Sequence, residues 1–145
     1  MSATAWAFYT QAKKKIGNGT INLGSGVFRL RLLKSTSNAS LPGLLLAGSL
    51  TNELGTANGY TIGGKSLPTP MWTVSGVNIK FDCATDPVWT ASGAGMTSIM
   101  YGTINSSAGG LNMMFWSKLS TGIITVATGN TLTVQMASTG IFTLS

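Results

Sequence analysis

Phe28-Arg29-Leu30-Arg31-Leu32 sets an apolar side chain at every second residue with an arginine between. That is the period of a β-strand with one buried and one wetter face. The same alternation recurs further on. Val77, Ile79, Phe81 and Cys83 alternate with Asn78, Lys80 and Asp82, and Leu132, Val134 and Met136 alternate with Thr131, Thr133 and Gln135. Shorter apolar stretches predict strands over 20–23, 61–63, 71–75, 97–104, 111–118, 123–126 and 141–144. Between them lie turn formers: Gly17-Asn18-Gly19, Gly24-Ser25-Gly26, Gly76, Gly109-Gly110 and Gly129-Asn130. Roughly eight to ten short strands at this spacing predict a mainly β fold, an antiparallel β-sandwich or jelly-roll-like domain over 19–145.

Residues 1–18 follow a different period. Ala5, Phe8, Tyr9, Ala12 and Ile16 recur at three- and four-residue spacings, which predicts one short N-terminal amphipathic helix or arm. Thr4 is the expected N-cap, Lys13, Lys14 and Lys15 fall in the last turn, and Gly17 is the expected left-handed terminator. The segment 35–60 shows neither period and reads as a long excursion, with at most a helical turn near Asn52-Glu53-Leu54. Met113-Met114-Phe115-Trp116 is apolar on both faces of one strand, so it is expected to be buried both inside the sandwich and under another chain.

Composition restricts the chemistry. Among 145 residues there is no histidine, one cysteine and three carboxylate side chains, against 19 glycines and, by count, 16 serines and 20 threonines. Most of the side chains that carry enzyme chemistry are missing, so the chain is expected to be a structural or binding protein with no catalytic residues, metal or cofactor. Only 8% of residues are charged, against about 25% in an ordinary soluble domain. Such a surface is expected to pack against copies of itself or a larger body. The net charge of +6 is concentrated at Lys13, Lys14, Lys15, Arg29, Arg31 and Lys34, giving that part of the fold a positive field. No aromatic stacking motif accompanies these bases, which speaks against a nucleic-acid partner. The apolar run 44–47 is far shorter than the roughly 20 residues that span a bilayer, and no secretory signal is visible. Unpaired Cys83 fits synthesis in a reducing cytosol.

Individual motifs have modest readings. Gly59-Tyr60-Thr61-Ile62-Gly63-Gly64-Lys65-Ser66 satisfies the G-x-x-x-x-G-K-S pattern of a phosphate-binding loop. Leu67-Pro68-Thr69-Pro70 follows at once and forbids the helix that such a loop requires, so its glycines are expected to form a turn and bulge. Cys83 points inward by alternation and has no histidine base. Asp82 reads as a strand residue and Asp86, before Pro87, as a turn-forming side chain. Trp72, Trp89, Tyr101, Phe115 and Trp116 read mainly as core or intersubunit packing, with a carbohydrate groove as the rival reading.

The order of segments resembles a family of small structural proteins of tailed bacteriophages. The likeness is carried by Ala7-Phe8-Tyr9 with Lys13 to Ile16, Gly19-Thr20-Ile21-Asn22-Leu23, Phe28 to Leu33 and Asn52-Glu53-Leu54. It continues through Gly59 to Lys65, Phe81-Asp82-Cys83-Ala84 with Val88-Trp89, Met100-Tyr101 and the closing Gly140 to Leu144. The resemblance implies a β-rich capsid decoration or cement protein, located on the virion surface and assembled in the host cytoplasm. Its expected partners are the major capsid protein and copies of itself, a trimer being favoured, with no nucleic acid, membrane or cofactor. A tail or neck adaptor and a carbohydrate-binding module are the alternatives. On this reading Trp6, Phe8 and Tyr9 anchor the protein, Lys13, Lys14, Lys15, Arg29 and Arg31 steer it to an acidic face, and Met114 and Trp116 complete the interface.

Overall fold

The computed structural model describes residues 5–108 and 110–145. A two-residue strand β1 (Ala7–Phe8) leads into helix α1 (Thr10–Gly17), and the chain then runs through β2 (Phe28–Lys34) and a 3-10 turn at Ala47–Ser49. There follow β3 (Lys65–Ser66), β4 (Pro70–Ser75), β5 (Asn78–Cys83), β6 (Val88–Thr90) and β7 (Met96–Ser106). The remaining strands are β8 (Met113–Lys118), β9 (Ile124–Val126), β10 (Thr131–Thr133) and β11 (Phe142–Leu144). The fold is therefore mainly β with one short helix, and every strand pair is antiparallel.

Strands order as β1-β8-β7-β2-β3 in a six-stranded sheet, with β9 beside β8 on the same edge of β7. A second sheet has the order β11-β5-β4, and β10 pairs with β6 in a third. The 11-residue β7 is the spine, pairing with β2 from Phe28↔Ser106 to Lys34↔Ile99 across one bulge. Register places Phe8, Phe115, Ile104 and Leu30 in one cross-strand row, and Phe142, Phe81 and Trp72 in another. The two rows face each other. Ring centroids lie 4.8 Å apart for Phe8 and Phe142, 5.9 Å for Phe81 and Phe115, 5.3 Å for Phe115 and Phe142, and 5.1 Å for Phe28 and Phe81. This aromatic cluster holds the three-stranded sheet against one face of the larger one.

Several expectations are corrected. The helix is shorter than its spacing predicts because Phe8 joins the aromatic core from a strand; Tyr9, with φ −72° and ψ 144°, is the N-cap and makes no side-chain cap bond. Thr4 lies outside the described residues. Gly19, at φ +76°, rather than Gly17, takes the left-handed position after the helix. Residues 20–23 and 61–63 are bends and turns rather than strands, although Ile21 and Leu23 are buried. Glu53 lies in an extended bridge to Leu33, not a helical turn. In β5, Phe81 and Cys83 are buried as the alternation requires, but Val77 is 97% exposed, because it lies with Gly76 in the turn that joins β4 to β5 rather than on the strand.

Met113, Met114 and Phe115 are buried within this chain alone. Phe115 faces the aromatic core; α1 and the segment 39–45 are tied to the strand from their own side. The Tyr9 N–H donates to Met114 O at 3.1 Å, the Met113 N–H to Leu45 O at 3.0 Å, and the Thr10 N–H to Pro42 O at 2.9 Å. No second chain is needed to cover this strand.

Phe115 touches Phe8, Phe81 and Phe142. Replacing it with alanine is expected to cost about 3–5 kcal/mol in chemical denaturation. Val77→Ser, at the free hairpin tip, should leave stability within about 0.5 kcal/mol in the same assay.

Candidate interaction surface

The alternation that puts Leu30 and Leu32 in the core sends Arg31 to the other side of β2, where it is nonetheless buried. A guanidinium in that position needs a carboxylate and further acceptors. Arg31 Nη1 meets Glu53 Oε2 at 2.7 Å and its Nε donates to Asn105 Oδ1 at 2.8 Å. Glu53 Oε1 accepts from the Tyr60 hydroxyl at 2.6 Å and from the Gly63 N–H at 2.8 Å. Tyr60 in turn accepts from the Leu32 N–H at 3.2 Å. Burial first, then the hydrogen bond and charge of Glu53, hold the Tyr60 hydroxyl far above its ordinary range. On the outer edge of β2 the Tyr60 hydroxyl thus stands between β3 and the extended 52–54 segment, which exchanges the bonds Lys34 N–H to Asn52 O and Leu54 N–H to Leu32 O. That edge is closed to an incoming strand.

The phosphate-loop-like stretch is part of the same closure. Arg29 donates from Nε to Gly63 O at 2.8 Å and from Nη2 to Gly64 O at 2.6 Å, so these carbonyls face the arginine. Gly64, at φ +68°, lies so near β2 that a Cβ would sit 1.9 Å from Leu30 O; at Gly59 it would sit 2.0 Å from Thr90 O. Close approach of backbone to backbone, not a phosphate cradle, explains these glycines.

The predicted site residues consequently divide. Tyr9 and Met114 are fully buried, Trp6 is nearly so, and Arg29 and Arg31 serve internal acceptors. Lys15 bonds Asn112. Trp116 is half-buried on the sheet face opposite Phe115. Phe8, half-buried, and the exposed Lys13 and Lys14 remain at the surface, with Lys13 Nζ 5.5 Å from the Phe8 ring centre. All three acidic side chains have internal partners: Glu53 as above, Asp82 with Lys80 at 3.1 Å and the Cys83 N–H, and Asp86 with the Met136 N–H at 2.8 Å. Asp86 therefore ties two distant segments together instead of closing its own turn. Trp89 is 1% exposed, and Trp72 is tilted onto Phe142 with centroids 5.5 Å apart. Trp72 lines a hollow with Ile21 and Leu23 that includes neither Trp89 nor Trp116. Among the described residues no group of three histidine, cysteine or acidic side chains converges as a metal site, and no helix is long and apolar enough to cross a membrane.

One open hollow is largely apolar. A hollow of about 470 Å³ lies between α1 and β11, lined by Phe8, Lys13, Ile16, Gly17, Phe142 and Leu144. Leu144 continues through the register to Ile79 and Val74. These three share the inward face of Phe142, Phe81 and Trp72, yet are 51%, 37% and 76% exposed, because the sheet overhangs its partner. Alternation marks each of these residues as apolar, but only the overhang leaves them uncovered.

Burial first, then the charges of Asp82 and Asp86, push the Cys83 thiol from 9.0 up to about 12. The protonated form is the one the fold favours. Its contribution to stability is full below pH 9 and is lost as pH rises through 12, so Tm should fall over that window, and less so in Cys83→Ala. At pH 8 a thiol reagent should label native protein far more slowly than protein in denaturant. Glu53→Gln, which leaves the Arg31 charge buried and unpaired, is expected to cost about 3 kcal/mol. Gly64→Ala should cost about 2 kcal/mol or more in the same denaturation measurement. No protein-family model, curated protein or solved structure matches this chain.

Proposed function

We propose that the chain is a non-enzymatic structural protein of a tailed-bacteriophage virion, acting as a capsid decoration or cement protein that bridges major capsid subunits, with a homo-oligomer, preferably a trimer, as the working unit. The observation that carries this reading is the uncovered apolar row Val74-Ile79-Leu144 and the adjoining hollow, on a chain in which only 8% of residues are charged. Contiguous exposed apolar surface of that kind marks a site of association. Burying it against a shell contributes about 25 cal/mol per Å² before the cost of association. Lys13 in the hollow and the exposed Lys14 that follows it on the helix add attraction to an acidic surface. The internal engagement of all three acidic side chains supports the same reading, since it leaves none of them poised for acid–base work. Trp6, Tyr9 and Met114 leave the set of anchors because the core of this chain already holds them; Phe8 stays.

Particles assembled with and without the protein supply the test. Those carrying it should withstand heating and osmotic shock better, and equal survival overturns the cement role. Copy number separates head from tail: hundreds per particle fit decoration, whereas six or twelve fit the tail or neck adaptor.

A further inference from the structure

Strand β11 pairs with β5 along one edge only among the described residues. The inward face of β11 borders the hollow of about 470 Å³ through Phe142 and Leu144, and a second hollow of about 240 Å³ adjoins the strand; Phe142 lines both. The floor is apolar, built from Phe8, Ile16, Phe142 and Leu144, and one cation, Lys13, stands in it over the Phe8 ring. An unpaired strand edge beside an apolar trough is the geometry that accepts an added strand: main-chain bonds supply affinity, and the trough selects alternate side chains.

Charge identifies the kind of occupant. Neither ion pair among the described residues includes Lys13, and the three acidic side chains of the chain are all engaged elsewhere in the fold. A second copy would bring more lysine to this trough and no free acidic side chain. We infer that β11 receives an extended segment of a different protein, in which apolar residues enter the trough and an acidic residue meets Lys13. This rests on the structural-protein reading only for where such a partner is found, not for the docking itself.

The probe is a fluorescein-labelled peptide of about eight residues alternating valine and glutamate, titrated into the full-length protein by fluorescence anisotropy. Binding is expected, with slowed amide exchange at Phe142–Leu144. Lys13→Glu should weaken it about tenfold or more and Lys13→Arg should restore it. Leu144→Glu, at an exposed position, should abolish it while leaving Tm unchanged. The inference is overturned by no binding up to about 1 mM, by equal affinity for an alternating valine–lysine peptide, or by unchanged exchange in β11. Displacement of the peptide by phosphatidylserine vesicles would instead assign the trough to a membrane. Self-association in sedimentation that Leu144→Glu removes would assign it to a second copy. Peptide binding alongside unaltered particle survival would retain the docking site and discard the virion role.

Discussion

Arg31 has to be neutralised where β2 puts it, and Glu53 is the one glutamate in the chain. That pair organises the whole excursion between β2 and β3. Glu53 cannot reach Arg31 unless residues 52–54 lie along the outer edge of β2, and Tyr60 cannot bond Glu53 unless the following turn folds back to the same edge. Gly64 then has room against Leu30 only because it has no Cβ. A segment that lacks any regular period is thereby fixed by one buried charge and its acceptors. Removing one partner costs far more than replacing both, since an unpaired buried charge remains.

The same economy of acids shapes the outside of the molecule. Each of the three carboxylates works within the fold, so the exposed lysines at 13 and 14 face outward without answering charges from acidic side chains of their own chain. The closed edge of β2 and the edge of β11 that no described residue pairs are complementary facts. Where polar side chains were available the sheet edge was sealed; where the sheet overhangs, apolar side chains and backbone groups remain accessible, and association is the natural way to satisfy them.

Much of the strand framework was legible from alternation, because a period of two records which face of a sheet is dry. The strands at Phe28, Met71, Thr97, Leu111 and Ile141 all appear within a few residues of their expected positions. The spacing of Ala5, Phe8 and Ala12 predicts a longer N-terminal helix than forms, and only the contact of Phe8 with Phe115 and Phe142 decides for a strand. Exposure at Ile79 and Leu144 is not legible for a related reason: alternation tells which side of a strand faces inward, not whether another sheet extends far enough to cover it.

By itself, the sequence determined a mainly β chain with one short helix, a shortage of catalytic side chains, and an inward-facing Cys83, since these follow from local period and composition. The tertiary structure alone decided that Arg29 and Arg31 serve internal acceptors, that the Gly59–Ser66 stretch packs against β2 and β6, and that Met114 lies beneath the chain's own segments. It also decided which apolar residues remain open beside Lys13. Each of these depends on a residue far away in sequence arriving, or failing to arrive, within contact distance.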